Sequence, residues 1–210
     1  RNNMGLPSAS YGYGETMIRI GHDNMTDDEF MEVVESRLSA MGYDTAAEVI
    51  WVDHPTVDGT TRVGTLWKSG NGGYAILTGI GYYYGSLVRR KNAGVWGPFE
   101  WSDPPMTLNV EYRTTERYLG KPVYTQLVNC GTLPEAACKT IKHGIANIKY
   151  ILRYAATCIT GSYLDALPFW YSDTEYCTIY ANPTDIVLRS GSDLSDRTVN
   201  IQLWYTKTTD

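Results

Sequence analysis

A chain of 210 residues exceeds the ~100–150 of a common single domain, leaving room for two units that each bury a core. Its net charge of −5 excludes a general nucleic-acid binder, whose phosphate contacts need a surplus of Lys and Arg across the binding face. Seventeen tyrosines against three phenylalanines place hydroxyls on the aromatic surface, as suits half-exposed strands and contact faces.

Residues 1–15, RNNMGLPSASYGYGE, are rich in Gly, Ser, Pro and Asn without periodicity, and read as a loop or linker. Thr26-Asp27-Asp28-Glu29 is a capping box that opens a helix, and its acids suit the positive helix end. Phe30, Val33, Val34, Leu38 and Met41 follow at helical spacing, with Gly42 as the expected left-handed stop. The next runs read as strands: Ala46 to Asp53, broken by Pro55 and Asp58-Gly59, then Arg62 to Lys68, then a turn at Asn71-Gly72-Gly73. From Tyr74 a period of two gathers Tyr74, Ile76, Ile80, Tyr82 and Tyr84 on one strand face, the face expected to meet the core. Ser86 to Lys91, a turn at Asn92-Ala93-Gly94 and Val95 to Trp101 complete this part, with Trp96, Phe99 and Trp101 expected as its closing core.

Ser102-Asp103-Pro104-Pro105 marks a junction, because consecutive prolines lack ladder donors and restrict the residues before them. Beyond it the pattern is nearly all β. Val110 to Tyr118 and Val123 to Cys130 flank a turn at Leu119-Gly120-Lys121-Pro122; Lys139–Ile145 and Ile148–Thr157 read as strands; Pro134 to Cys138 can open a short helix. Cys177–Ala181, Ile186–Arg189 and Thr198–Thr206 close the series, and in the last Val199, Ile201, Leu203 and Tyr205 alternate with polar positions. Strands at this spacing predict an antiparallel sandwich or barrel.

The run VWGPFEWSDPPMTLNVEYRTTERYLGKPVYTQLVNCG, residues 95–131, resembles distal tail-fibre and receptor-binding proteins of bacteriophages and prophages. Its first part, with RRKNAG before it, is similar to the end of a pyocin-knob-type module. EYRTTERYLGKPVY, KTIKHGIANI at 139–148 and the terminal LWYTKTTD resemble the β-sandwich tip domain that follows such knobs. The resemblance covers residues 12–210. It implies a mainly β fold with one N-terminal helix: 1–11 a linker or shaft end, 12–105 a small α+β knob, and 106–210 an antiparallel, jelly-roll-like β-sandwich. It further implies a homotrimer in the virion, made in the bacterial cytoplasm and joined to other tail proteins through its N-terminus. Such a tip presents its C-terminal domain to a bacterial polysaccharide or teichoic acid, without membrane insertion.

Candidate chemistry is sparse. Cys130, Cys138, Cys158 and Cys177 show no CxxC or metal-ligand spacing; two disulfides are possible, but a chain this long needs no staples and free thiols are expected. No window reaches the ~18 apolar residues of a membrane span and no signal sequence stands at the start, so a soluble protein is expected. Arg1 is not an initiator, which makes a fragment or processed product the expectation. His22 and His54 lack spaced partners. His143, matched by histidine in the resembling family, is expected to be a hydrogen-bonded residue, with a ligand on a trimer axis as the weaker alternative. The acids do not form a glycosidase pair: Asp27, Asp28 and Glu29 cap the helix, and Asp173, Glu175, Asp193 and Asp196 suit turns. No phosphate loop, nucleophile elbow or dinucleotide fingerprint occurs, and no cofactor is expected.

Binding is therefore sought in CITGSYLDALPFWYSDTEYC, residues 158–177, which carries no recognised motif. Flat rings stack on the apolar faces of sugars while nearby polar groups take hydroxyls, which makes Tyr163, Trp170, Tyr171 and Tyr176 candidates, with Asp165, Asp173 and Asn182 as polar partners. The plain alternative is that Phe169 and Trp170 anchor a loop. The function expected is non-enzymatic attachment to a bacterial surface glycan; the alternatives are a structural spacer of the tail and a glycan-cleaving tailspike.

Overall fold

The structure, a computed structural model, describes residues 18–20, 26–51, 62–81 and 85–209. The opening loop, His22, His54 and the tyrosines at 82–84 lie outside the described residues. The chain is mainly β, 61% strand, with a single α-helix among the described residues, and it divides into two compact units, Arg1–Pro105 and Met106–Asp210.

In the first unit the order along the chain is β1 (Ile18–Ile20), α1 (Asp27–Ala40), β2 (Thr45–Trp51), β3 (Arg62–Ser69), β4 (Tyr74–Gly81), β5 (Ser86–Asn92), β6 (Val95–Trp96) and β7 (Glu100–Trp101). The sheet runs β1-β2-β3-β4-β5-β7, with β6 pairing β5. β1 and β2 are parallel across the α1 crossover; the remaining pairs are antiparallel. The capping box forms as its sequence requires: Glu29 N donates to Thr26 Oγ1 at 3.3 Å, and Thr26 N donates to Glu29 Oε2 at 2.7 Å. Phe30, Val34 and Leu38 are buried one turn apart.

The helix does not end on a left-handed Gly42. Met41 is an extended C-cap and the positive φ falls on Asp44. A glycine stop is unnecessary because the buried Lys68 Nζ donates to the Met41 carbonyl at 2.9 Å, taking up one acceptor of the last turn.

The core face of β4 is also the reverse of the expectation. Ala75, Leu77 and Gly79 are buried, whereas Tyr74 is exposed and Ile80 is 65% exposed. The register shows why. Ala75 sits opposite Lys68 and Lys91, and Leu77 opposite Leu66 and Arg89, so these residues share one face. That face carries α1: Arg89 Nη1 pairs with Asp27 at 3.1 Å, Lys91 Nζ with Glu35 at 2.5 Å, and the Phe30 and Phe99 rings lie 6.4 Å apart. The charged partners on this face are tied to α1, so the side of Ala75, Leu77 and Gly79 is the inner one. Trp101 is buried as expected, while Trp96 and Phe99 are half-buried and Val95 is exposed.

The second unit comprises β8 (Glu111–Tyr118), β9 (Lys121–Thr132), β10 (Cys138–Lys142), β11 (Ile148–Thr160), β12 (Tyr163–Leu167), β13 (Phe169–Trp170), β14 (Tyr176–Ala181), β15 (Asp185–Ser190) and β16 (Thr198–Lys207). Two antiparallel layers form, β8-β9-β16-β11-β12 and β10-β15-β14-β13. One apolar core serves both: Val128, Cys158, Ile201 and Leu203 come from the first layer, and Cys177, Ile186 and Leu188 from the second. The alternation in β16 is realised, with Val199, Ile201, Leu203 and Tyr205 all buried. The β8–β9 turn tightens to Leu119-Gly120, both with positive φ as a two-residue hairpin turn demands, and Lys121-Pro122 joins the strand. Pro134 to Cys138 forms no helix. Its backbone is held sideways instead, with Ser190 N donating to Ala137 O, Ser190 Oγ to Pro134 O and Ala136 N to Ser192 O.

Candidate functional site

Alternation along β13 and β14 sorts the aromatic segment into two faces. Phe169 pairs with the buried Cys177 and points inward; Trp170 pairs with Tyr176 and points out of the sandwich. The Trp170 and Tyr176 rings stack with centroids 4.4 Å apart and planes 11° from parallel, and Trp170 remains 61% exposed. Tyr176 is in turn held against Gly191, where a Cβ would stand 2.3 Å from its Cε1. Glycine is required here by close approach.

The same outward face continues along the strands. Thr178 pairs with Arg189 and Tyr180 with Val187, so Tyr176, Thr178 and Tyr180 form a row with Arg189 beside it, and Tyr180 is exposed. At the far end Lys142 and Asp185 are register partners, with Nζ and Oδ1 3.6 Å apart. Thr184 donates its hydroxyl to Asp185, which, with Lys142 nearby, holds that carboxyl below the usual range. A backbone bond from Ser195 does the same for Asp193. Carboxylates held ionised are the opposite of what a general acid requires.

Other expected site residues are placed differently. Tyr171 lies on Phe169, rings 5.0 Å apart, and Phe169 also meets the Arg197 guanidinium at 5.5 Å; Asp165 pairs with Arg197 at 3.4 Å. Asp165 thus anchors the inner side of the segment rather than the Trp170 face. Tyr163 stands at the opposite end of β12, beside the Gly161 turn, about 13 Å of strand from Leu167. Asp173 is exposed in a turn in which Ser172 Oγ accepts from Thr174 N and Glu175 N. Asn182 Oδ1 accepts from Thr184 N and Asp185 N, so it closes its own turn.

His143 is buried with both ring nitrogens engaged: Nδ1 accepts from Ile145 N at 3.1 Å, which leaves Nε2–H to donate to Asn182 O at 3.2 Å. Among the described residues no group of three or more His, Cys, Asp or Glu is arranged to hold a metal ion. All four cysteines are free thiols, three of them buried. No helix of the described residues is long and apolar enough to cross a membrane.

Sequence reasoning missed Tyr180 and Arg189. The period-two spacing of Tyr176, Thr178 and Tyr180 carries the first, but Arg189 reaches this face only through the pairing of two strands. The face offers a flat apolar plate, Trp170 on Tyr176, flanked by hydroxyl and guanidinium donors. That combination matches the two surfaces of a pyranose ring, one of C–H groups and one of hydroxyls.

No family model matches the chain, and no curated protein does. Three solved chains are distantly similar, all of them pyocin tail fibres. An N-truncated R2-type pyocin tail fibre is 11% identical, aligned over 77% of this chain and 91% of its own, with a TM-score of 0.30. The R1 pyocin fibre of P. aeruginosa is 11% identical over 92% of this chain and 68% of its own, TM-score 0.27, and the R2 pyocin fibre of P. aeruginosa is 12% identical over 77% and 62%, TM-score 0.25.

Proposed function

We propose that the chain is a non-enzymatic tail-fibre tip that attaches to a bacterial surface glycan through the outer face of its four-stranded layer. The observation that carries the site is the exposed Trp170–Tyr176 stack on an open strand face. A stacked pair held open on a strand face presents a flat ring, already desolvated on its inner side, to the apolar face of a sugar. The tail-fibre reading rests on the resemblance of residues 95–131 and of KTIKHGIANI. In this reading residues 12–105 form the knob and 106–210 the tip. Three copies assemble, and three weak sugar sites held at fixed spacing gain avidity through effective concentration.

The decisive experiment compares adsorption of the native chain and Trp170→Ala to host cells and to purified host polysaccharide. Loss of the outer plate lowers binding by about tenfold per site, the weight of one aromatic stack. Unchanged adsorption by a folded Trp170→Ala would remove this face from the function. New reducing ends after incubation with the polysaccharide would replace attachment by cleavage. Light scattering gives the assembly: a species of three chains is expected, and a monomer at high concentration overturns the avidity mechanism.

A further inference from the structure

A second feature of the 106–210 unit is unused by that function. A groove of about 430 Å³ is lined by Glu116, Arg117 and Tyr118 of β8, Val123 of β9, and Tyr150, Ile151, Leu152 and Arg153 of β11. Its volume lies at the small end of ligand sites, ~300–1,000 Å³, and fits one or two sugar rings.

The groove is made by irregular strands. Against β9, β8 takes four steps from Arg113 to Arg117 while its partner takes two, from Tyr124 to Pro122. Against β16, β11 slips between Ile148 and Tyr150 and again between Ile151 and Arg153. The displaced segments contain Glu116 on one wall and, on the other, Lys149 and Leu152, which flank Tyr150 and Ile151. Bulges re-aim side chains that a regular ladder would place elsewhere, and here both walls are re-aimed into one groove.

Its chemistry is specific. Tyr118 and Tyr150 meet edge to face at 6.3 Å, and each keeps more than two-fifths of its surface exposed. Arg153 rests on the Trp204 ring at 4.6 Å and is held by both oxygens of Glu116, at 2.7 and 2.9 Å. Arg117 lines the groove with its Nη1 donating to the Thr114 and Glu116 carbonyls at 3.2 and 3.0 Å, which fixes its charge in place, and Lys149 stands over Tyr150 at 5.3 Å. In a chain of net charge −5, the lining residues carry two cations, Arg117 and Arg153, against the single acid Glu116, and Lys149 adds a third cation beside Tyr150. Local positive charge on an acidic protein draws in anions and repels little of its own surface.

We propose that this groove binds a sugar unit bearing a carboxylate or phosphate, its ring against Tyr118 and Tyr150 and its anionic group toward Arg117 and Lys149. The site is separate from the Trp170 face and stands or falls independently of it. A nucleic-acid strand would need a long basic track, which the acidic chain does not provide.

The test is calorimetric titration of the full chain with tri-galacturonic acid, with glucose 6-phosphate and with neutral galactotriose. At least one anionic probe binds in the millimolar range or tighter, and galactotriose binds about tenfold more weakly. Tyr150→Ala and Lys149→Gln each weaken the anionic probe by about tenfold, while Trp170→Ala does not. Tyr150 and Lys149 are surface residues, so both variants keep the native melting profile, measured alongside. Which anionic probe binds better distinguishes carboxylate from phosphate. The proposal is overturned if neither anionic probe binds at about 10 mM, if galactotriose binds equally well, or if binding falls with Trp170→Ala and not with Tyr150→Ala.

Discussion

Gly191 shows how much of the proposed binding face depends on one hydrogen atom. A Cβ there would lie 2.3 Å from Tyr176 Cε1 and 2.6 Å from the Thr174 carbonyl oxygen. The ring can swing away but the carbonyl cannot move without the turn. Gly191→Ala is therefore expected to cost about 1–3 kcal/mol, the range of an overpacking change. In thermal unfolding the midpoint drops, and the glycan binding proposed for this face is expected to drop with it because Tyr176 no longer supports Trp170. The thiols make a second residue-scale case. Burial pushes Cys130 and Cys177 up to about 11 and raises Cys158, so these sulfurs are neither ionised nor accessible at neutral pH. A disulfide-exchange reagent is expected to label Cys138 alone in the folded chain and all four cysteines after denaturation. Rapid native labelling of Cys177 would mean that the two layers separate readily.

At the scale of elements, legibility in the sequence followed how local the determining interaction is. The α1 start was readable because a capping box is complete within four residues; Thr26→Ala is expected to lower stability by about 1 kcal/mol, measured by denaturant unfolding. β16 was readable because its period of two coincides with a strong apolar-polar contrast. The inner face of β4 was not: Tyr74, Ile76 and Ile80 outweigh Ala75, Leu77 and Gly79 in apolar bulk, and only the ion pairs that tie α1 to the neighbouring strand show which side is covered. The end of α1 failed for the same reason, since Lys68 is far along the chain from the carbonyl it satisfies. Within the candidate segment, Trp170 and Tyr176 were legible as aromatics, but their stacking required the β13–β14 register, and Asp165 was claimed by Arg197 from farther along the chain.

At the scale of the whole molecule, acidity and alkalinity act unequally on the fold. Cys130, Cys177 and Tyr205 are all stabilised in their neutral forms, Tyr205 by burial and by donating its hydroxyl to Glu111 at 2.5 Å. Each has a folded value above its ordinary one of 9.0 or 10.0, so the stability it contributes is complete below that value and is lost as pH rises through the folded one. The melting temperature is expected to stay level through neutral pH and to fall steeply above about pH 9. Cys177→Ala flattens that fall, whereas an unchanged slope would assign it to other groups.

The placement of β16 has a consequence for how the protein is made. Residues 198–207 pair with β9 on one side and β11 on the other, in the middle of their layer. A nascent chain on the ribosome that has not yet released this segment cannot close either ladder, however much of the sandwich precedes it. Until then two strand edges stand open, each able to accept a stranger. A chain that stops short of Thr198 thus lacks the middle of its own layer.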